Sequence, residues 1–342
     1  MIKVNPAILE GIGQAQSGPD LYEFLQNAVK LEHSTIPPYL TAMFSLKPGT
    51  NREIAALIRS IVVEEMLHMT IAANILIAIG GSPKINTKDF VPVYPGQLPM
   101  AIGGLTVGIE AFSIAVARDK FMAIEEPEHP IPVKTEAVVE FATIGAFYDA
   151  IKDKIHELGP RIFVKKTAPP QVVSSKWFDA GRLFPITGPD SAARGIDIIK
   201  IEGEGTSFTP FETPGDPSHF YKFGEIVAGK KLVQRPNGFA YGGDPVPFDA
   251  AGVWPLKPNC KIADFAPGTQ ARTRIEQFAF NYGNLLNALH DTFNGHPERL
   301  DTAIGVMYDL RVLAVALMAT DAGGGLTVGP SYEYVQSQGG MG

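Results

Sequence analysis

Glu65-Met66-Leu67-His68 falls inside a run whose apolar residues, Ile58, Ile61, Met69, Ala72, Ile75 and Ile79, recur with helical period, and both polar residues lie within that apolar stripe. A carboxylate on the buried face of a helix is expensive unless it is paired, hydrogen-bonded or bound to a metal. Two readings follow: a core histidine ion-paired with its neighbour, or a Glu and a His three apart converging on one ion, as in carboxylate-bridged bundle sites. A second inward carboxylate weighs toward the ion. The stripe Leu21, Leu25, Ala28 and Val29 continues to Glu32, and the turn Lys47-Pro48-Gly49-Thr50 is short enough to make the two helices an antiparallel hairpin.

The rest of the chain is predicted to be mainly helical. The first helix is expected to start at Asp20, with Glu23 as its capping partner, and to kink or restart at Pro37-Pro38, which lack the N–H an α-helix needs. The second begins after Thr50, paired with Glu53 in a T-x-x-E box, and stops at Gly80-Gly81 before Pro83. Turns and a small hairpin fit residues 81–112, and a helix fits about Ser113 to Ile124. A third bundle helix is expected from Lys134 to Leu158, with Phe141, Ile144, Tyr148, Ile151 and Ile155 inward, and a fourth from Asp190 or Ser191 to Glu202. A shorter helix, Pro217 to Ala228, carries His219. Residues 229–267, rich in Gly and Pro, read as an irregular surface excursion. Helices at 268–293 and 297–320, joined by Asn294-Gly295-His296-Pro297, form a closing hairpin. The whole, 1–342, reads as a single domain with its bundle core in 20–228.

Composition excludes several classes. The net charge of −7 leaves no basic excess to neutralise nucleic-acid phosphates. One cysteine, Cys260, excludes an internal disulfide framework and fits a cytoplasmic setting. No signal-peptide core and no uninterrupted membrane-spanning apolar run is present, so no membrane partner is expected. Dinucleotide, P-loop, G-x-S-x-G and C-x-x-C motifs are all missing.

The stretches Leu31-Glu32-His33-Ser34-Thr35-Ile36-Pro37-Pro38-Tyr39-Leu40-Thr41-Ala42, Val63-Glu64-Glu65-Met66-Leu67-His68-Met69 and Asn74 to Gly81 resemble the ferritin-like domain of iminophenyl-pyruvate dimer synthases. So do Phe121 to Glu128, Thr143 to Tyr148 and Glu202-Gly203-Glu204-Gly205-Thr206. The resemblance is dense over Asp20 to Gly81 and patchy to about Val227. It implies a ferritin-like four-helix bundle, here with an additional C-terminal helical hairpin and long irregular insertions. It also implies coupling of amino-acid-derived imines, as in violacein and related bisindole pathways.

A complete bundle site takes carboxylates from all four helices. Glu32, Glu65 and His68 supply half. The third helix has Ala146 where a carboxylate would serve, and Tyr148 could donate to a ligand or be plain core. On its own terms Glu204 reads as a solvated helix-end acid, although Gly203 and Gly205 would let it turn inward. The resemblance implies Glu204 and His219 as the remaining ligands. Glu64 rivals Glu65, His33 is expected at the surface or behind the ligands, and Glu125 and Glu126 are expected to be structural or to line a substrate pocket. Mixed carboxylate and imidazole donors suit iron, with manganese or zinc as alternatives, one ion or two. The expected protein is therefore a metal-dependent enzyme acting on a small molecule, with a homo-oligomer left open. Its rival is a non-catalytic ferritin-like scaffold that binds a metal or ligand.

Overall fold

The computed structural model describes residues 3–101, 104–127, 143–164, 169–206 and 208–335. Helix α1 (Pro6–Gln14) precedes the long pair α2 (Tyr22–Ser45) and α3 (Arg52–Ala78). A helical segment follows in three pieces: α4 (Ile114–Val116), a π-helical stretch at Ala117–Phe121, and α5 (Met122–Ile124). Then come α6 (Ile144–Leu158) and α7 (Pro189–Glu204), a small hairpin of β1 (Phe211–Thr213) and β2 (Asp216–Pro217), and α8 (His219–Ala228). The antiparallel strands β3 (Lys230–Arg235) and β4 (Gly238–Pro245) follow. Helices α9 (Gln270–Phe293) and α10 (Leu300–Met318) and the short pair β5 (Asp321–Gly323) and β6 (Leu326–Thr327) complete the order.

Helices α2, α3, α6 and α7 pack as the bundle, with α8 against α3 and α7, and the α9–α10 hairpin against α2 and α3. One contiguous apolar core runs from Ile12 through the bundle to Leu317 and Tyr332. Helix α3 is long and apolar enough to cross a bilayer, although it contains no uninterrupted apolar run. Here 89% of its most apolar window is buried inside the protein. Helix α7 approaches α3 closely at Gly195, where a Cβ would lie 2.8 Å from Ile71 Cγ2.

Several expectations are corrected. Helix α2 runs through Pro37-Pro38 without a restart. Pro38 cannot donate to the Ser34 carbonyl four residues back, and the Tyr94 hydroxyl does so instead at 2.6 Å. Asp20 is not a helix cap: it accepts from the Gln16 and Ser17 backbone N–H groups and from the Ser17 hydroxyl, closing the loop before α2. Asn51, in the left-handed region, precedes α3, and Thr50 donates its hydroxyl to the Lys47 and Gly252 carbonyls in place of the expected box. Helix α7 starts two residues ahead of Ser191, which accepts from the Thr187 and Gly188 N–H groups. The 229–267 excursion contains the β3–β4 pair, where Lys230 to Arg235 alternate well enough to bury Leu232. The start of the third bundle helix at Lys134, with Phe141, lies outside the described residues. What is described begins at Thr143, whose hydroxyl caps α6 by accepting from the Ala146 N–H.

Candidate metal centre

Helices α2 and α3 bring Glu32, Glu65 and His68 together in the bundle interior, all three buried. His219 reaches them from the first turn of α8 and is fully buried. Glu125 reaches them from the end of α5: its Oε2 lies 3.5 Å from His219 Nδ1. The imidazoles of His68 and His219 stack with centroids 5.4 Å apart and planes 26° apart.

The orientation of each ring is set from outside the cluster. His68 Nε2 lies 2.9 Å from Glu202 Oε2, and His219 Nε2 lies 3.1 Å from Glu64 Oε2. An ionised carboxylate only accepts, so each Nε2 carries the proton, and in the neutral ring Nδ1 is the nitrogen with the lone pair. Both Nδ1 atoms face the inner carboxylates. His68 Nδ1 is 3.6 Å from Glu32 Oε2, and His219 Nδ1 is 2.9 Å from Glu65 Oε1. The latter contact is short but off the hydrogen-bond direction, so His219 Nδ1 is a buried nitrogen without a hydrogen-bond partner. Donor atoms of Glu65, His68 and His219 all lie within 4.8 Å of one another. Carboxylate-anchored histidines whose other nitrogens converge on carboxylates are the arrangement metal sites use.

Charge supports the same fit. The three inner carboxylates are held by hydroxyls: Tyr148 donates to Glu32, Thr35 to Glu65 at 2.8 Å, and Tyr39 to Glu125 at 2.5 Å. The fixed cations serve the outer acids. Lys222 Nζ donates to Glu64 at 2.8 Å and to Glu212 at 2.7 Å, and Arg182 Nε donates to Glu202 at 2.7 Å. Glu64, Glu212 and Asp216 form a second acidic group, but Lys222 already supplies its positive charge.

Titration follows from this division. Burial pushes Glu65 up to about 7, with repulsion from Glu125 adding to it. Burial opposes charge on His68, but its hydrogen bond with Glu202 and the nearby Glu32 carboxylate hold it at about 10. His219 is raised against burial by the surrounding carboxylates of Glu125, Glu64 and Glu65. Glu64 is pulled well below the ordinary carboxylate range, burial notwithstanding, by His219 and Lys222. Protons on the rings thus balance the inner carboxylates where a cation would otherwise do so.

Glu204 lines the same cavity and, like Glu32 and Glu125, lies outside the tightest group of Glu65, His68 and His219. It lies against Gly145, where a Cβ would come within 2.8 Å of Glu204 Oε2. Burial pushes its carboxyl up to about 7. Of the expected ligands, the structure brings Glu32, Glu65, His68 and His219 into one cluster and sets Glu204 at the wall of the same cavity. The sequence reading underrated Glu125, and it did not foresee Glu202 or Arg182. Glu64 is no rival to Glu65; it stands behind His219. His33 is neither at the surface nor behind the ligands: it is buried on the opposite face of α2. The cavity bounded by Glu32, Glu65, His68, Glu125, Tyr148 and Glu204 measures about 50 Å3. At roughly 10–15 Å3 per water on the same measure, it holds an ion and a few waters.

A ferritin-like family model matches residues 25–228, more than half of the chain and nearly all of the bundle. The chain belongs to the ferritin-like family. Its sequence is 22% identical to dichlorochromopyrrolate synthase of Lentzea aerocolonigenes, over 92% of this chain and 36% of that protein. The chain thus spans about a third of the length of that relative. A ferritin-like protein of Caulobacter vibrioides has the same fold, with a TM-score of 0.59, 22% identity and coverage of 92% of this chain and 97% of that one.

Proposed function

We propose that this ferritin-like protein is a metal-dependent enzyme of specialised metabolism that acts on a small amino-acid-derived imine by oxidative coupling. The observation that carries the metal reading is the pair of histidines, anchored through Nε2 to Glu202 and Glu64, with both Nδ1 atoms turned toward Glu32, Glu65 and Glu125. Glu32, Glu65, His68, Glu125 and His219 would hold the ion, and Glu204 would stand at the rim. The donor chemistry suits iron, with manganese or zinc as alternatives. A metal bound there would act as a Lewis acid or as a redox centre toward a substrate nitrogen or carbonyl.

The residues around it have separable tasks. Glu64 and Glu202 fix the ring tautomers, the three hydroxyls orient the carboxylates, and Glu204, with its raised carboxyl, can hold a proton at the cavity wall. The imine substrate class rests on the resemblance to iminophenyl-pyruvate dimer synthases and on the distant likeness to dichlorochromopyrrolate synthase. Coupling two imines oxidatively removes two electrons and two protons, so dioxygen or peroxide belongs in the assay.

The test is metal analysis of protein purified without chelator, followed by incubation with phenylpyruvate, ammonium and an oxidant. A stoichiometric metal and a dimeric product that disappears in Glu65→Ala support the reading. A second reading, a non-catalytic metal-binding scaffold, is favoured by the small volume of the cavity. A bound metal with no turnover would select it.

A further inference from the structure

The α2–α3 pair is a wall with two different faces. Glu32, Thr35, Glu65 and His68 look one way. His33, Ile36, Leu40, Met66 and Met69 line a separate cavity of about 240 Å3 under the α9–α10 hairpin. Its far side is built from Leu285, Leu289, Ala303, Ile304 and Met307, with Trp177 and Tyr308 at the edges. None of its lining residues, among those described, is Asp, Glu, Lys or Arg. Val63 and Tyr308, 45% and 56% exposed, leave it accessible from solvent. Polar chemistry is confined to a few groups. His33 is buried and its Nε2 pairs with the Tyr282 hydroxyl at 3.0 Å, while its Nδ1 is buried with no hydrogen-bond partner.

We propose that this cavity is a binding site for a neutral, two-ring small molecule carrying one hydrogen-bonding atom, which pairs with His33 Nδ1. A charged ligand is disfavoured because no described lining residue could neutralise it, and burying an unpaired charge is costly. Size sets the number of rings. A dry apolar cavity of about 150 Å3 admits benzene, so one of 240 Å3 has room for about ten carbon atoms in place of six. Flat rings suit walls of Trp177, Phe178, Tyr282 and Tyr332, and Met66, Met69 and Met307 adapt around them. The Tyr282 hydroxyl can donate to His33 or accept from it, so Nδ1 is left as either acceptor or donor. A ligand hydroxyl matches both cases. The proposal does not depend on the metal reading, because none of the candidate metal ligands lines this cavity.

The experiment is calorimetric titration of the full chain with 2-naphthol, compared with naphthalene, 2-naphthoate and 1-decanol. Expected are one saturable 2-naphthol site per chain, about tenfold weaker binding of naphthalene, and no detectable binding of 2-naphthoate. His33→Phe should lower 2-naphthol to the level of naphthalene and leave naphthalene unchanged. Either cavity-filling variant, Leu285→Trp or Ala303→Phe, should abolish binding of both while helical circular dichroism and metal content stay at parental values. Quenching of Trp177 fluorescence by 2-naphthol, lost in Trp177→Phe, gives a readout that needs no filled variant. The proposal is overturned if 2-naphthol does not saturate, if 2-naphthoate or 1-decanol binds as tightly, or if His33→Phe changes nothing. It is equally overturned if the opening proves to be covered by a second copy of the chain in sedimentation.

Discussion

His219 meets Glu64 through Nε2 at 3.1 Å, and that contact decides which nitrogen of the ring faces the cavity. Glu64 and Glu65 are chain neighbours, yet one orients the imidazole from behind while the other shares its inner side at 2.9 Å. Substitution should separate them. Glu65→Ala is expected to abolish metal retention through dialysis, whereas Glu64→Gln should weaken it about 10–100-fold, the usual effect of losing a group behind a ligand. Competition with a chromogenic chelator reads both, and equal losses would contradict the division of roles.

Lys222 is 1% exposed and holds Glu64 and Glu212 together. Lys222→Met leaves two buried carboxylates with only the more distant Arg182, at 3.4 and 3.8 Å, as a cation. It should cost about 3–5 kcal/mol of stability, as breaking a buried ion pair does. Adding Glu212→Gln should recover part of the loss, as read from urea midpoints.

Tyr94 supplies the hydrogen bond that Pro38 cannot. Tyr94→Phe should destabilise the protein by about 1–3 kcal/mol, because the buried Ser34 carbonyl loses its donor. In a Pro38→Ala background the helix provides its own N–H, and the same substitution should cost clearly less. A double-mutant cycle without coupling would reject this account.

Asp20 gives a pH signature. Its pKa is lowered chiefly by the Gln16 N–H, then by the Ser17 hydroxyl, with the Ser17 N–H adding a smaller share. A depressed carboxylate contributes stability that is fully present above its unfolded value, about 3.9, and is lost as pH falls through its folded value. Asp20→Asn should therefore lower the urea midpoint at pH 7, with the difference narrowing as the pH falls below about 3.9 and through the lowered folded value.

The helices and half of the cluster were legible because a hairpin of two amphipathic helices is a local object. Period 3.6 fixes the inward face, and Glu32, Glu65 and His68 sit on it. Glu125 was obscured by the π-helical stretch at Ala117–Phe121, which departs from the period the eye follows and resets the direction of what comes after. Glu202 and Arg182 carried no local signal, since their partners lie 134 and 20 residues away along the chain. The left-handed Asn51 and the hydroxyl contacts of Thr50 replaced an expected capping box, because Gly252 from a distant segment competes for that hydroxyl. Glu204 was hard to place for a related reason: glycine neighbours permit a turn without specifying its target.

The donors of the cluster are not equally easy to gather. Thr35 and Glu65 are joined across 30 residues, whereas Glu64 and His219 are joined across 155. Closing the longer loop costs about 1.5 kcal/mol more in chain entropy, and it also requires everything between to be in place. The early half, Glu32 with Glu65 and His68, can form as soon as two adjacent helices zip together. The late half waits for α8 to dock. An ion added during refolding should therefore be caught in two kinetic stages, a weak grip on the hairpin and then a slow tightening when His219 arrives.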